Sequence, residues 1–334
     1  MENIMVRKDQ QYTLVVPFQI MLGDKLSNVD RDGFELSLPS GRTIKLRNYG
    51  DFCDITTNGF ESVQVAEKHF NSVLLYIYWL SLTTNFKVSI NKSFQKPYYP
   101  KDPEKAYENH FLRKGGRIDA MVFNLEPYAI KTGAKVSMMH GHPVNITLGH
   151  GTEKMLKALN ELDLGESEAL ICSDEKLMLA LELYNNLTEE KTLASKFLQM
   201  NSVVESLLEP KGKPEQILKL IKNFNGQIDE AIQSAKNDHK SIEQLKGFKQ
   251  GLGNMRKESI RSSLAALTEQ AFDILGKSDG DQYGIKCKKA YDVRSHLVHN
   301  GSVDQSILSV AYKDLKEVVE SILRAKVLHY SKFN

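Results

Sequence analysis

The spacing of apolar residues changes once along the chain, and this change constrains the fold more than any other feature. Residues 11–50 alternate with a period of two, so that Tyr12, Leu14 and Val16 share one face, as in a strand with one buried side. From Gly151 onward, apolar residues recur at three- and four-residue steps, the period of an amphipathic helix. The sequence therefore predicts an α+β protein, with a mixed, strand-rich domain over residues 1–150 and an all-α helical bundle over residues 151–334.

Local signals support this division. Phe34, Leu36 and Leu38 lead through Pro-Ser-Gly-Arg into residues 43–46, which predicts a β-hairpin with its turn residues in place. Residues 63–82 have the spacing of an amphipathic helix, and residues 118–130 and 134–148 form short β-like runs broken by Gly and Pro. In the second domain, apolar stripes run along residues 260–274 and 308–322. Such stripes usually form a helical core.

Composition narrows the class of protein. The chain has 334 residues, 41% of them hydrophobic, which is enough for two domains, each with its own core. The three cysteines are far apart and form no C-x-x-C pair, so the sequence predicts neither a disulfide framework nor a thiolate zinc site and favours a reducing cytoplasm. The first residues lack the apolar run of a secretory signal. The most apolar window, residues 73–82, is about half the length that crosses a bilayer, and we expect no membrane association.

Charge is unevenly distributed although the formal net charge is only +2. Residues 84–117 contain eight Lys or Arg against three acids, mixed with six aromatic residues. This mixture is found in proteins that bind single-stranded nucleic acid through phosphate contacts and base stacking. It is also typical of a solvated surface loop, and Pro97, Pro100 and Pro103 favour that alternative.

The segment around Arg294 and His299 is the strongest candidate for chemistry. Arginine offers a planar, permanently charged fork that suits phosphate, and histidine can take and give a proton near neutrality. Together they suit phosphodiester chemistry without a metal. Residues five apart on an ideal helix point about 140° apart, but Asn300 and Gly301 form a helix stop. A frayed last turn would let His299 swing toward Arg294. In a purely structural role, Arg294 pairs with a carboxylate and His299 ends the helix as a favourable cation.

The surrounding order of helices adds a family resemblance. An apolar helix over residues 194–208 carries Glu205 and stops at Pro210, further helices follow, and a long helix from Ser306 to about Tyr330 closes the sequence. This order, with the segment Tyr291-x-x-Arg294-Ser295-x-Leu297-x-His299-x-Gly301, resembles the HEPN superfamily and most of all its Apea-like branch. The resemblance covers roughly residues 170–330. It departs from the family pattern at Ser295, where many members have Asn, Asp or His.

The resemblance implies a metal-independent endoribonuclease that needs no cofactor. Its active site would form where two subunits bring their motifs together, so the implied partners are RNA, a second copy of the chain, and an antitoxin or another defence-system protein. By carry-over, Arg294 and His299 are catalytic, with Ser295 and His296 as further candidates for orienting the phosphate. Secondary substrate contacts are assigned to Tyr291, Asn300, Lys114 and Arg117. Glu205 is either a buried partner of Arg294 or an exposed acid. The rival function is a non-catalytic HEPN module that binds RNA, a nucleotide ligand or a protein.

Two other patterns have structural alternatives. His140, His142 and His150 could supply imidazoles to a transition metal, but no acids stand at a recognisable spacing, and a loop with incidental histidines explains the pattern as well. The segment from Lys114 to Arg117 contains Gly-Gly but lacks the glycine fingerprint and the following helix of a phosphate-binding loop. We therefore interpret it as a turn and predict no metal site.

Overall fold

The computed structural model describes residues 11–20, 33–37, 43–49, 52–84, 88–111, 114–139, 157–159, 162, 167–187, 189–235 and 238–332. These residues form two compact units. The first contains residues up to Lys191 together with the chain from Lys326 onward, and the second runs from Thr192 to Ala325. The strand-rich N-terminal region and the helical C-terminal region confirm the predicted α+β class.

A mostly antiparallel sheet forms the centre of the first unit. Its strands are β1 (Tyr12–Ile20), β2 (Phe34–Ser37), β3 (Thr43–Asn48), β4 (Cys53–Phe60), β5 (Val88–Ser89) and β7 (Tyr128–Lys131). The order is β2-β3-β4-β1, and the far edge of β1 pairs with β7 near its start and with β5 at its end. Leu14, Val15 and Val16 of β1 are at most 3% exposed. A strand paired on both edges and buried on both faces accounts for the apolar run from Leu14 to Phe18.

The predicted hairpin is present. Strands β2 and β3 pair antiparallel, with Phe34 opposite Leu46 and Ser37 opposite Thr43. The turn between them, residues 38–42, lies outside the described residues. Strand β3 then pairs with β4, placing Arg47 opposite Asp54. This register creates the buried ion pair described below.

The helix predicted over residues 63–82 is two helices, α1 (Val63–Lys68) and α2 (Phe70–Thr84), separated at His69. The prediction of an amphipathic helix is wrong for α2, because every residue from Ser72 to Leu82 is buried. A helix that is apolar all round lies inside a core. Helix α2 packs against α4 (Ser167–Ser173) and α5 (Glu175–Asn186).

The remaining elements of the first unit flank this core. Helix α3 (Pro103–Phe111) follows the proline-rich segment. Strands β6 (Ala120–Phe123) and β8 (Val136–Met139) form a separate parallel pair. The sequence division was placed at residue 150, whereas the compact units divide after Lys191. The reason is that α4 and α5 are helical in pattern but pack on α2.

The second unit is helical. Its elements are α6 (Leu193–Ser206), α7 (Glu215–Ser234), α8 (His239–Asn254), α9 (Ile260–Ile274), α10 (Gly280–Asn300) and α11 (Gln305–Lys332), the last turns of which belong to the first unit. Helices α9 and α10 pack along each other, and both contact α6. Gly284 brings α10 close to α9, since an added Cβ would lie 3.2 Å from Glu269 Oε1. Helices α7 and α8 form a hairpin with its own small core of Ile221, Ile228 and Leu252.

No helix among the described residues is both long enough and apolar enough to span a bilayer.

Candidate functional site

The predicted motif lies on the last two turns of α10. The helix continues without interruption to Asn300, and Gly301 follows in the left-handed conformation at φ 76°. The Gly301 amide donates to the Leu297 carbonyl oxygen over 2.9 Å, which closes the helix end. The predicted stop at Asn300 and Gly301 is therefore present.

The regular last turn separates the two principal residues. Residues 294 and 299 are five positions apart on a continuous α-helix, so their Cα to Cβ directions differ by about 140°. The last turn does not fray in a way that would redirect His299. Within one subunit, the guanidinium and the imidazole start from different sides of α10.

Arg294 lies on the side of α10 that faces α6. Its Nε is 3.5 Å from Glu205 Oε1, and the two side chains are 30% and 26% exposed. Glu205 Oε1 is buried and accepts no hydrogen bond from the described residues, so this contact is a loose ion pair. The Arg294 guanidinium also lies 5.8 Å from the ring centroid of Tyr291. The sequence left Glu205 as either a partner of Arg294 or an exposed acid, and the structure shows that it is the partner of Arg294.

Ser295, His296 and His299 occupy the opposite side. On the helical period, His299 lies about 60° from His296 and about 40° from Ser295. Both histidines are exposed, while Leu297 between them is 8% exposed and turns toward the core. Within the described part of the chain, the His299 imidazole makes no hydrogen bond or ion pair. The site therefore offers two solvent-accessible imidazoles one helical turn apart.

Asn300 contacts His296 and thereby orients it. The Asn300 amide nitrogen is 2.9 Å from His296 Nδ1. It is also 3.1 Å from His296 Nε2, and an amide N–H can donate to whichever ring nitrogen carries no proton. The residue expected to contact substrate thus holds one histidine of the exposed pair.

The two basic residues assigned to substrate contact belong to the first unit. Lys114 is exposed, and Arg117 pairs with Asp119. Gly115 has φ 88°, and a Cβ at Gly116 would lie 2.1 Å from the Tyr107 ring. These glycines are required by a turn and by packing against α3, in agreement with the interpretation as a turn.

The three histidines considered as metal ligands, His140, His142 and His150, lie outside the described residues. In the part of the chain that the structure describes, no group of three or more His, Cys, Asp or Glu side chains has an arrangement that could hold a metal ion.

The sequence interpretation missed a cavity of about 730 Å³ in the first unit. Arg47 and Asp54 lie in its wall and are joined by two hydrogen bonds, Nε to Oδ1 at 2.9 Å and Nη2 to Oδ2 at 2.8 Å. Burial disfavours the charged guanidinium, but its pairing with Asp54 raises the pKa of Arg47 overall. Burial also raises the pKa of Asp54, and the hydrogen bonds from Arg47 act against that rise. The available signal was Asp54, the one charged residue of its strand.

The three cysteines lie in surroundings that disfavour the thiolate. Burial raises the pKa of Cys53 to about 12 and that of Cys172 and Cys287 to about 11. A neutral thiol is a poor nucleophile.

Comparison with known proteins gives no family assignment for the chain. No protein-family model matches the sequence, and neither the curated proteins nor the solved structures contain a significant match.

Proposed function

We propose that the chain is a metal-independent endoribonuclease of the HEPN type, acting in a stress-response, toxin-antitoxin or anti-phage setting. The observation that carries the proposal is the exposed pair of imidazoles, His296 and His299, on the last turns of α10. Two histidines one turn apart suit a reaction that needs one group to remove a proton and another to supply one.

The proposed reaction begins with the RNA itself. His299 removes the proton from a ribose 2′-hydroxyl, and that oxygen attacks the adjacent phosphorus. The bond from phosphorus to the 5′-oxygen breaks, and an imidazolium donates a proton to the departing oxygen. The products are a 2′,3′-cyclic phosphate and a 5′-hydroxyl. DNA has no 2′-hydroxyl and should resist cleavage.

Within one subunit, no arginine of the motif lies beside the imidazoles to stabilise the negative charge that develops on the phosphate. Arg294 starts about 140° from His299 around the helix and is paired with Glu205. We infer that the reactive arrangement is composite, with Arg294 of one copy approaching the imidazoles of a second copy. Preorganised positive charge near the non-bridging oxygens is usually the largest catalytic contribution.

Exposed apolar residues next to the motif support self-association. Val298, Ile307 and Val310 are 50%, 53% and 63% exposed, and a groove of about 400 Å³ runs between α10 and α11 beside Ile307 and Val310. Exposed apolar side chains that line one groove, as Ile307 and Val310 do, are typical of an interaction surface. Sedimentation of wild type and Val310→Glu tests this step. A wild-type dimer that the substitution dissociates supports it, and a wild-type monomer at tens of micromolar contradicts it.

The decisive experiment is RNA cleavage in EDTA. Purified protein is incubated with end-labelled RNA and with DNA of the same sequence, and the product ends are examined. His299→Ala should reduce the rate about 10²–10⁴-fold, and Arg294→Ala should also reduce it strongly. His239→Ala is the matched control, because His239 is an exposed histidine of α8 away from the motif. Cleavage that His299→Ala leaves unchanged contradicts the proposal.

A second candidate is a non-catalytic interaction module, and the loose pair between Arg294 and Glu205 favours it. A guanidinium that faces α6 can exchange Glu205 for a phosphate or carboxylate of a partner without any chemistry at His299. RNA binding that Arg294→Ala weakens and His299→Ala spares, with no cleavage, would support this function.

A further inference from the structure

The cavity of the first unit has a polar wall and an aromatic wall, and we call it the sheet cavity. It is bounded by β1, β3, β4 and β7, by the end of α3 and by β8. Its volume of about 730 Å³ falls within the range of pockets that bind small molecules. The described residues that line it all belong to the first unit.

Arg47 is a fixed anchor in this cavity. Asp54, only 1% exposed, holds Nε and one N–H of Nη2. The guanidinium lies over the Tyr49 ring at 5.6 Å, and Tyr49 stacks on Phe52 with 4.7 Å between ring centroids. A guanidinium has five N–H donors, so three remain for another acceptor. Arg47 is 28% exposed and lines the cavity.

The charges of the lining favour an anion. Among the charged side chains of the cavity, Asp54 is the acid and is neutralised by Arg47. Lys131 lines the same space and is exposed. Among the described residues that line the cavity, no further acid balances its charge. An anionic group that binds here gains the free edge of Arg47 and the Lys131 ammonium together.

The aromatic wall favours a flat ring. Phe111, at the end of α3, is 44% exposed, and its ring packs on Tyr107 and His110 with centroid distances of 4.9 Å and 4.6 Å. These neighbours hold the ring while it lines the cavity. An exposed aromatic face is a stacking platform for a base.

We propose that the sheet cavity is a nucleotide-binding site, in which the base stacks on Phe111 and the phosphate is bound by Arg47 and Lys131. A free inorganic anion would use the cations and leave the aromatic wall and most of the cavity unfilled. A neutral ring compound would leave the cations without a partner. This site is independent of RNA cleavage by the second unit.

Calorimetric titration of the full chain tests the proposal with AMP, GMP, CMP and UMP as probes and with adenosine and inorganic phosphate as comparators. At least one nucleotide should bind tenfold or more tightly than either comparator. Phosphate binding as tightly as every nucleotide would contradict the aromatic contact, and adenosine binding as tightly would contradict the anionic contact. No nucleotide binding at millimolar concentration would overturn the proposal.

Matched variants locate the binding. Lys131→Gln and Phe111→Ala should each weaken nucleotide binding tenfold or more. The controls are Lys135→Gln, an exposed lysine four residues along the chain, and Phe123→Ala, a phenylalanine 47% exposed. Neither control residue lines the cavity. Equal losses in test and control variants would overturn the assignment.

Arg47 requires a variant that keeps the fold, because Arg47→Ala leaves the buried Asp54 carboxylate without its charged partner. Arg47→Met combined with Asp54→Leu replaces the pair by apolar side chains, a change that proteins often tolerate. This double variant should remain folded and lose nucleotide binding tenfold or more. Wild-type affinity in the folded double variant would exclude Arg47 as the anchor.

Discussion

Two arginines, one in each unit, pair with a carboxylate in contrasting ways. Arg47 holds Asp54 by two short hydrogen bonds, and that aspartate is 1% exposed. Arg294 approaches Glu205 only to 3.5 Å, and that glutamate is 26% exposed. The first pair is fixed on two hydrogen-bonded strands. The second joins partly exposed side chains of two separate helices.

This contrast separates a preformed site from an adjustable one. In the sheet unit, the strand register sets the position of Arg47 before any ligand arrives, which reduces the ordering cost of binding. In the helical unit, the polar groups of α10 lie near solvent on a helix whose stability comes from its apolar side. Substitutions at the two sites should therefore act differently, on folding in the first unit and on function in the second.

The largest expected effect comes from Arg47→Ala. It removes the partner of a buried carboxylate and should lower the free energy of unfolding of the first unit by about 3–5 kcal/mol. Urea unfolding followed by tryptophan fluorescence measures this, because the single tryptophan, Trp79, is buried in α2 of the same unit. The double substitution Arg47→Met with Asp54→Leu should recover most of the loss. A loss below about 1 kcal/mol for Arg47→Ala would remove the distinction between the two arginines.

Leu297 and Val298 test the corresponding statement for α10. Leu297 is 8% exposed and Val298 is 50% exposed. Leu297→Ala should destabilise the helical unit by about 2–3 kcal/mol, whereas Val298→Ala should change stability by about 0.5 kcal/mol or less. Circular dichroism at 222 nm during thermal unfolding measures both. Equal losses at these neighbouring positions would mean that the buried face of α10 is assigned wrongly.

The pair in the helical unit should contribute little. In a double-mutant cycle of Arg294→Met and Glu205→Gln, we expect a coupling energy of about 0.5 kcal/mol, since partly exposed ion pairs are weak. The same unfolding measurement gives all four corners of the cycle. A coupling above about 2 kcal/mol would show that Arg294 is fixed as firmly as Arg47, and would weigh against its release toward a phosphate.

The sequence predicted well what depends on neighbours along the chain. The period-two alternation and turn residues predicted the pairing of β2 with β3, and the apolar spacing predicted the last helix from Ser306, which begins at Gln305. The stop at Gly301 followed from its tolerance of positive φ. Each of these features is specified within a few residues.

Features that depend on distant contacts were not predicted. The buried surroundings of α2 come from elements such as α4 and α5, about 90 residues further on, and the periodicity of α2 alone does not reveal them. The sheet cavity is built from β1, β3, β4, β7, β8 and α3, so no local motif marks it. At the candidate site, the sequence predicted roles for Arg294 and His299, and those roles stay a prediction. Only the continuous helix shows that Ser295, His296 and His299 share one side while Arg294 lies on another.

The smallest effect concerns an exposed pair in the sheet unit, which should behave like the pair of the helical unit. The Lys135 amide donates to Asp119 Oδ2 over 2.9 Å, and Arg117 pairs with the same carboxylate. These contacts lower the pKa of Asp119 below its ordinary value of 3.8. The folded state therefore favours the ionised carboxylate. Its contribution is complete above the unfolded-state pKa and is lost as pH falls through the lower folded-state pKa.

Asp119→Asn should accordingly lower Tm by about 1–2 °C at pH 7. The difference from wild type should shrink as pH falls through the lowered folded-state pKa of Asp119. Thermal unfolding of the two proteins between pH 2.5 and 7 measures this, with Glu67→Gln as an exposed control on the same unit. A Tm difference between the two proteins that grows toward low pH would contradict a lowered pKa for Asp119. If Asp119→Asn destabilised the protein as much as Arg47→Ala, burial would not explain why the pair of Arg47 and Asp54 matters more than an exposed pair.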